Sequence, residues 1–259
     1  MSNYNNFYEH IDRKEVYSSN NDMESHPVTK SLRAMISKYS LENKKFLEVG
    51  SGNGRYQDIV EDYTGIDISE SARQFYHKPY FVTNDKTKYP FDDKSIDCIF
   101  TKTVFEHIPD MQYALDEVDR VLKKDGILYF KPAWNCRPWA ADGYQVRPYS
   151  DFNLFGKIYK FFIPLRNHII YRSLHTFPKR FIYLLLFMIN KDIFKKEMFY
   201  KKIKANYETY WQSDSDACNN MEPFLSILYF KSNGYEVLNY PTLLKQFFIK
   251  NGEVILKKK

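Results

Sequence analysis

Five short apolar runs, KFLEV, YTGID, PYFVT, IDCIF and GILYF, punctuate residues 46–131, with polar or amphipathic stretches between them. Parallel strands need a crossover of a dozen or more residues, usually a helix, so this rhythm predicts an α/β domain with a parallel sheet and helices on both faces. Between the fourth and fifth runs, Met111, Ala114, Leu115, Val118, Val121 and Leu122 recur at helical spacing. Pro109 and Asp110 suit that helix's first turn, and Gly126 suits its stop. A chain of 259 residues has room for one such domain and additions to it.

After Lys131 the rhythm breaks into a loop-like stretch and then into apolar segments around Phe152–Ile163 and Phe177–Ile189. These read as a helical insert. The sheet pattern returns near Asp216: Ser215 or Asp216 is placed to cap a helix ending at Gly234, and YEVLNY, KQFFIK and EVILKK follow as candidate strands. Asn251-Gly252 between the last two is a hairpin signal. The expected organisation is therefore an N-terminal helical or lid segment (1–45), a core (46–131 and 208–259) and a basic, aromatic-rich insert (132–207) that caps the substrate.

Charge separates the insert from the rest. From Lys157 to Lys204 there are twelve Lys or Arg against Asp192 and Glu197, a balance of +10, while the whole chain carries +6. The remainder is thus negative. A basic patch acts on anionic partners such as phosphates, nucleic acid or a lipid surface. Cys98, Cys136 and Cys218 form neither a disulfide framework nor a zinc ribbon. The amino terminus lacks a signal-peptide layout, and the longest apolar run, Phe181–Ile189, is too short to span a bilayer. A cytoplasmic protein without a transmembrane segment is expected, with peripheral membrane contact open to the insert.

The run FLEVGSGNG sets Gly50, Gly52 and Gly54 directly after the first strand and before an expected helix through IVEDY. Glycines there let the backbone turn sharply and approach a ligand. The third glycine of a dinucleotide fingerprint is missing in either register, since Arg55 or Gln57 stands there, and no phosphate-loop Gly-Lys-Ser/Thr occurs.

What remains, E-x-G-x-G-x-G with the acid Asp67 closing the next strand, resembles the S-adenosylmethionine site of class I methyltransferases. Asn84-Asp85 after the third strand, the DDKSIDCIFTKTVFEHIPD segment and VLKKDGILYF continue the resemblance in order over roughly Phe46–Lys131. It implies a Rossmann-like core binding S-adenosylmethionine through Glu48, Gly50, Ser51, Gly52, Asn53, Gly54, Asp67, Ile68, Asn84, Asp85 and Thr101. Asp67 would accept from the ribose hydroxyls and Asp85 from the adenine amino group. Alone, Asp67 reads equally well as a turn or capping carboxylate before Ser69, and Asp85 as a turn residue.

His107, with Glu106 beside it, is the candidate base in the loop after the fourth strand, at the strand edge where open sheets bind ligands; the alternative is a histidine that shapes the loop by bonding a backbone carbonyl. TKTV in place of Asn/Asp-Pro-Pro-Tyr/Phe argues against base-amino methylation of nucleic acid, and the lack of Pro-Cys argues against cytosine carbon-5 chemistry. Thr101 and Lys102 stand where metal-dependent catechol-type relatives place carboxylates, so no metal is expected. Arg137, Arg147, Arg166, His168, Arg172 and His175 are the candidate substrate contacts. Asp214 and Asp216 could bind sugar hydroxyls or cap a helix. The layout as a whole looks like enzymes that decorate bacterial surface polysaccharides or their activated precursors. The expected function is O-methylation of a small phosphate-bearing, phosphoramidate or nucleotide-linked acceptor in capsule biosynthesis. An RNA-directed methyltransferase and a non-catalytic cofactor-binding interaction protein are the alternatives.

Overall fold

A computed structural model describes residues 3–10, 25–84 and 86–259. Two helices, α1 (Asn3–His10) and α2 (Pro27–Lys38), precede strands β1 (Phe46–Val49), β2 (Tyr63–Asp67), β3 (Tyr80–Val82) and β4 (Ile96–Lys102). Helix α3 (Met111–Val121) and β5 (Leu122–Lys131) complete the first half. Then come α4 (Leu154–Asn167), α5 (Ile169–Ile189), β6 (Tyr200–Lys202), β7 (Asn219–Met221), α6 (Pro223–Ser232), β8 (Tyr235–Val237), α7 (Leu243–Phe247) and β9 (Val254–Lys258).

The main sheet has the order β3-β2-β1-β4-β5-β9-β8. Its first five strands pair in parallel, and β9 runs antiparallel to both β5 and β8. Alternation along the strands divides the core in two. Phe46, Cys98, Phe100, Ile127, Tyr129 and Ile255 pack with Leu32, Met35 and Ile36 of α2. Leu47, Ile99, Leu128, Phe130 and Leu256 pack on the other face with α3 and α6. A period of two in the strands and of 3.6 in the helices makes both layers close. Fully burying each such side chain stabilises the fold by about 1.5–3 kcal/mol.

All five expected parallel strands are present. Several other expectations change. The segment after the glycine loop is not an α-helix: Gly54, Gln57 and Ile59 each donate to the carbonyl three residues back, giving successive turns. Two glycines in the first turn and a connection of only 13 residues between β1 and β2 leave little for helix nucleation. Helix α3 starts at Met111, with Asp110 outside it as the cap accepting from Tyr113 N, and it passes into β5 at Leu122, before Gly126. Helix α6 is capped by Glu222, which accepts from Leu225 N, with Pro223 opening the helix. Ser215 and Asp216 lie in the turn before β7 instead. The first half of KQFFIK falls in α7, whose cap Thr242 binds Lys245 N, and Asn251-Gly252 is no two-residue hairpin loop. The 132–207 segment is α-helical over α4 and α5, with single 3-10 turns at Tyr149–Asp151 and Lys191–Phe194, and contributes β6 to a separate ribbon with β7. Among the described residues no helix is long and apolar enough to cross a membrane.

Candidate active site

Strand order reverses between β1 and β4, and in open sheets such a point leaves a crevice beyond the strands' carboxyl ends. Here the crevice is a cavity of about 410 Å³. Gly50, Ser51, Gly52 and Asn53 line it from the loop after β1, Asp67 and Ile68 from the end of β2, Asn84 from beyond β3 and Lys102, Thr103 and Val104 from the end of β4.

Gly50 and Ser51 both donate to Ile66 O, at 2.8 and 3.0 Å, and Gly52 N donates to Asp67 Oδ2 at 2.7 Å. Asp67 Oδ1 accepts from Ile68 N at 2.8 Å and Ser69 N at 3.3 Å. The turn-capping reading of Asp67 is thus realised, while the carboxylate still faces the cavity. Gly50 has φ of +69°, and a Cβ there would lie 2.2 Å from Val104 Cγ2, so no other residue fits without displacing the β4 loop. Glu48 is buried at the cavity floor and accepts from the Tyr63 hydroxyl; burial pushes its carboxyl up to about 8. Lys102, Arg55 and His26 also line the cavity. Burial first, then Arg55, pushes the Lys102 ammonium below its usual range.

His107 occupies the opposite wall. Its Nδ1 lies 3.2 Å from Asp216 Oδ2 and its Nε2 3.6 Å from Glu106 Oε1. Burial alone would depress the imidazole, but the carboxylates of Asp216, Glu106 and Asp214 raise it to about 9. The ring is therefore an imidazolium at neutral pH. Burial pushes Asp216 up, yet His107 and the Tyr8 hydroxyl, which donates to Asp216 Oδ2 at 2.5 Å, bring it below the ordinary carboxylate range. Asp214, lining the same wall, is raised by burial against the pull of His107. Two residues on this rim have left-handed backbone, Asp214 (φ +63°) and Thr103 (φ +50°). The second is costly for a β-branched residue, and such strain collects at functional sites.

The loop carrying His107 is held by a residue that sequence reading passed over. Asn219, fully buried on β7, donates through Nδ2 to Phe105 O at 2.9 Å and Ile108 O at 2.7 Å. Cys218 N and Asn219 N both donate to Glu106 O. Nothing in the sequence of Asn219 distinguishes it from a turn asparagine; the signal is only its place in the Asp-rich WQSDSDACNN segment. Tyr8 of α1 and Tyr210 also reach the cavity unannounced.

Residues 47–130 match the methyltransferase-domain family. Malonyl-[acyl-carrier protein] O-methyltransferase 1 of Coxiella burnetii is 31% identical over 108 residues, covering 39% of this chain and 37% of that protein. Over residues 47–130 the chain is thus similar to methyltransferase domains, and its sheet is Rossmann-like. Among solved structures, a SAM-dependent methyltransferase of Aquifex aeolicus is 20% identical, covers 48% of this chain and 74% of that one, and aligns with a TM-score of 0.39. Phosphoethanolamine N-methyltransferase 1 of Haemonchus contortus is 20% identical, covers 51% of this chain and 32% of that one, with a TM-score of 0.36. The chain spans 37–51% of the length of the curated relatives it matches.

The expected residues do not all converge. Glu48, Gly50, Ser51, Gly52, Asn53, Asp67, Ile68, Asn84 and His107 line the cavity. Gly54 lies behind the loop, where a Cβ would meet the Tyr76 ring, and Thr101 is buried within β4 with its side chain off the cavity. Asp85 lies outside the described residues. Glu106 does not line the cavity: fully buried, it accepts from Ala133 N at 2.9 Å and backs His107 from behind. Glu106, His107 and Asp214 bring donor atoms within 4.8 Å of one another, the spacing of a cation site.

None of the six basic candidates lines the cavity. Arg137 binds Gln145, and Arg147 is held by Asp151 and the Phe152 and Trp211 rings. Arg166 lies over Tyr159 on α4, His168 caps α5, and Arg172 and His175 sit exposed on α5.

Proposed function

We propose that this chain is an S-adenosylmethionine-dependent O-methyltransferase whose acceptor presents a hydroxyl to His107. The observation that carries this reading is a single cavity with the Gly50–Asn53 loop and Asp67 on one wall and the His107–Asp216 pair on the other. The residues fit the cofactor. The glycine loop leaves room for backbone approach, and Asp67 has carboxylate capacity for ribose hydroxyls beyond its backbone partners. The buried Glu48 carboxyl suits a ligand ammonium, and Arg55, Lys102 and His26 suit a ligand carboxylate. When bound, the cofactor supplies a methyl group on a positively charged sulfur.

The chain's own residues would orient the acceptor and take its proton. Asp214, Ser213, Tyr8 and Tyr210 offer a polar wall suited to a polyol or sugar. His107 accepts a hydroxyl proton only in its neutral form, which its raised value of about 9 confines to a small fraction at neutral pH. Two acids on this wall would repel a phosphate inside the cavity. An acceptor from surface-glycan assembly would therefore place its sugar in the pocket and its phosphate or nucleotide outside it. The O-methyltransferase relative, similar over the shared domain, supports methylation on oxygen.

Calorimetry with S-adenosylhomocysteine, followed by methyl transfer to a panel of nucleotide-linked sugars, tests the proposal. Product binding is expected, and His107→Ala should lower turnover by ~10²–10⁴-fold with product affinity intact. Binding of a nicotinamide dinucleotide and not of S-adenosylhomocysteine would overturn it.

A further inference from the structure

The pair α4–α5 is amphipathic in the reverse of the usual sense. On α5 the side turned toward the protein carries Ser173, Thr176 and Arg180 before reaching Tyr183, Leu184 and Phe187. The outward side carries Leu174, Phe181, Ile182, Leu185 and Ile189, the last 81% exposed. Helix α4 adds Phe155, 81% exposed, and Phe161. The apolar surface continues onto α7 through the Phe177–Phe248 ring contact at 5.3 Å. A surface helix in water would show the opposite pattern, and contiguous apolar exposure on this scale marks an interaction site.

Charge identifies the partner. Residues 152–191 contain seven Lys or Arg and no Asp or Glu. Lys157, Arg166, Arg172, Lys179 and Lys191 are exposed beside the apolar surface. A symmetric pairing of two copies would set this face against itself, cation against cation. Single-stranded RNA needs ring faces for its bases, whereas much of the outward face is aliphatic. With Arg172, Lys179, Arg180 and Pro178 inside it, α5 is built to lie along an interface and not to cross one. Buried Arg180 fixes the pair to the core: it donates to Glu222 Oε1 at 2.8 Å and to the carbonyls of Phe247 and Ile249.

We infer that the α4–α5 pair is a monotopic docking surface for an anionic phospholipid bilayer, with the apolar face immersed among the acyl chains and the flanking lysines and arginines at the headgroup phosphates. The inference stands independently of the acceptor. At its base, Arg147 is sandwiched between Phe152, next to α4, and Trp211, next to the cavity residue Tyr210. Docking would thus seat the cavity close to the membrane surface.

The experiment is co-sedimentation of the full chain with vesicles of phosphatidylcholine alone or with about one third phosphatidylglycerol, in rising salt. Retention on the anionic vesicles is expected, at least tenfold stronger than on phosphatidylcholine and weakened by salt. Phe155→Ser with Leu174→Ser, and separately Arg172→Glu with Lys179→Glu, should each lower retention at least tenfold. Their S-adenosylhomocysteine affinity should stay unchanged, because none of these residues touches the cavity. Equal recovery with and without anionic lipid, retention indifferent to both double variants, or displacement of the protein from vesicles by single-stranded RNA would overturn the inference. So would a dimer in lipid-free solution that the Phe155 and Leu174 substitutions dissociate.

Discussion

At the scale of single residues, Asp67 and His107 carry the most testable chemistry. Asp67 holds Gly52 N and Ile68 N besides facing the cavity, so Asp67→Ala removes both the ligand's acceptor and part of the loop's geometry. Affinity for S-adenosylhomocysteine should fall by at least about 1.5–3 kcal/mol, read by calorimetry. For His107, three carboxyls set the protonation state. If it takes the acceptor's proton, the turnover rate should rise with pH through about 9. In Asp216→Asn the main opposing charge to burial disappears, so the limb should move to lower pH; a limb that stays in place would remove His107 from the proton transfer. The sequence made Gly50, Asp67 and His107 legible because strand ends and glycines leave local signatures. Asp216 was not legible as the partner of His107, nor Tyr8 as the partner of Asp216, nor Asn219 as the brace of the His107 loop, since each contact joins segments more than 100 positions apart.

At the scale of elements, Arg180 is the joint between the α4–α5 pair and the core. It is buried, paired with Glu222, and its guanidinium also meets two carbonyls. Removing it leaves a mostly buried carboxylate and two carbonyls without their donor. Arg180→Ala should destabilise the protein by about 3–5 kcal/mol, read from urea unfolding. Arg180→Lys should recover only part of this, because one ammonium cannot reproduce the planar fork. An unfolding midpoint unchanged in Arg180→Ala would show that the pair is held by other contacts. The sequence foresaw two apolar helices here, but it did not foresee which side faced inward. Apolar residues are so frequent in Phe177–Ile189 that periodicity cannot choose a face, and the choice falls to the one arginine that finds a buried acid. KQFFIK shows the same limit on a smaller scale: its composition suits a strand, yet the Thr242 cap and a place off the sheet draw its first half into a helix.

Across the whole molecule, buried ionisable groups bias stability toward acid. Glu48 is raised from 4.5 to about 8 and His107 from 6.5 to about 9, so both bind protons more tightly in the folded chain than in the unfolded one. For each, the stabilisation is full below the unfolded value and is lost as pH rises through the folded one. Glu48 therefore withdraws stability between 4.5 and about 8, and His107 between 6.5 and about 9. Asp216, Glu253 and Glu117 are shifted downward and act in the opposite sense, but their stabilisation is complete above the ordinary carboxylate range and disappears only in stronger acid. Between pH 6 and 9 nothing in that second group offsets the first. The urea midpoint should accordingly fall as pH is raised across this window. Glu48→Gln should flatten the lower part of the decline and His107→Gln the upper part, in each case without moving the other. Bound S-adenosylhomocysteine should also flatten the lower part, because a ligand ammonium beside Glu48 lets it ionise in place. A midpoint that rises from pH 6 to 9 in the free protein would mean that neither group is buried as its surroundings indicate.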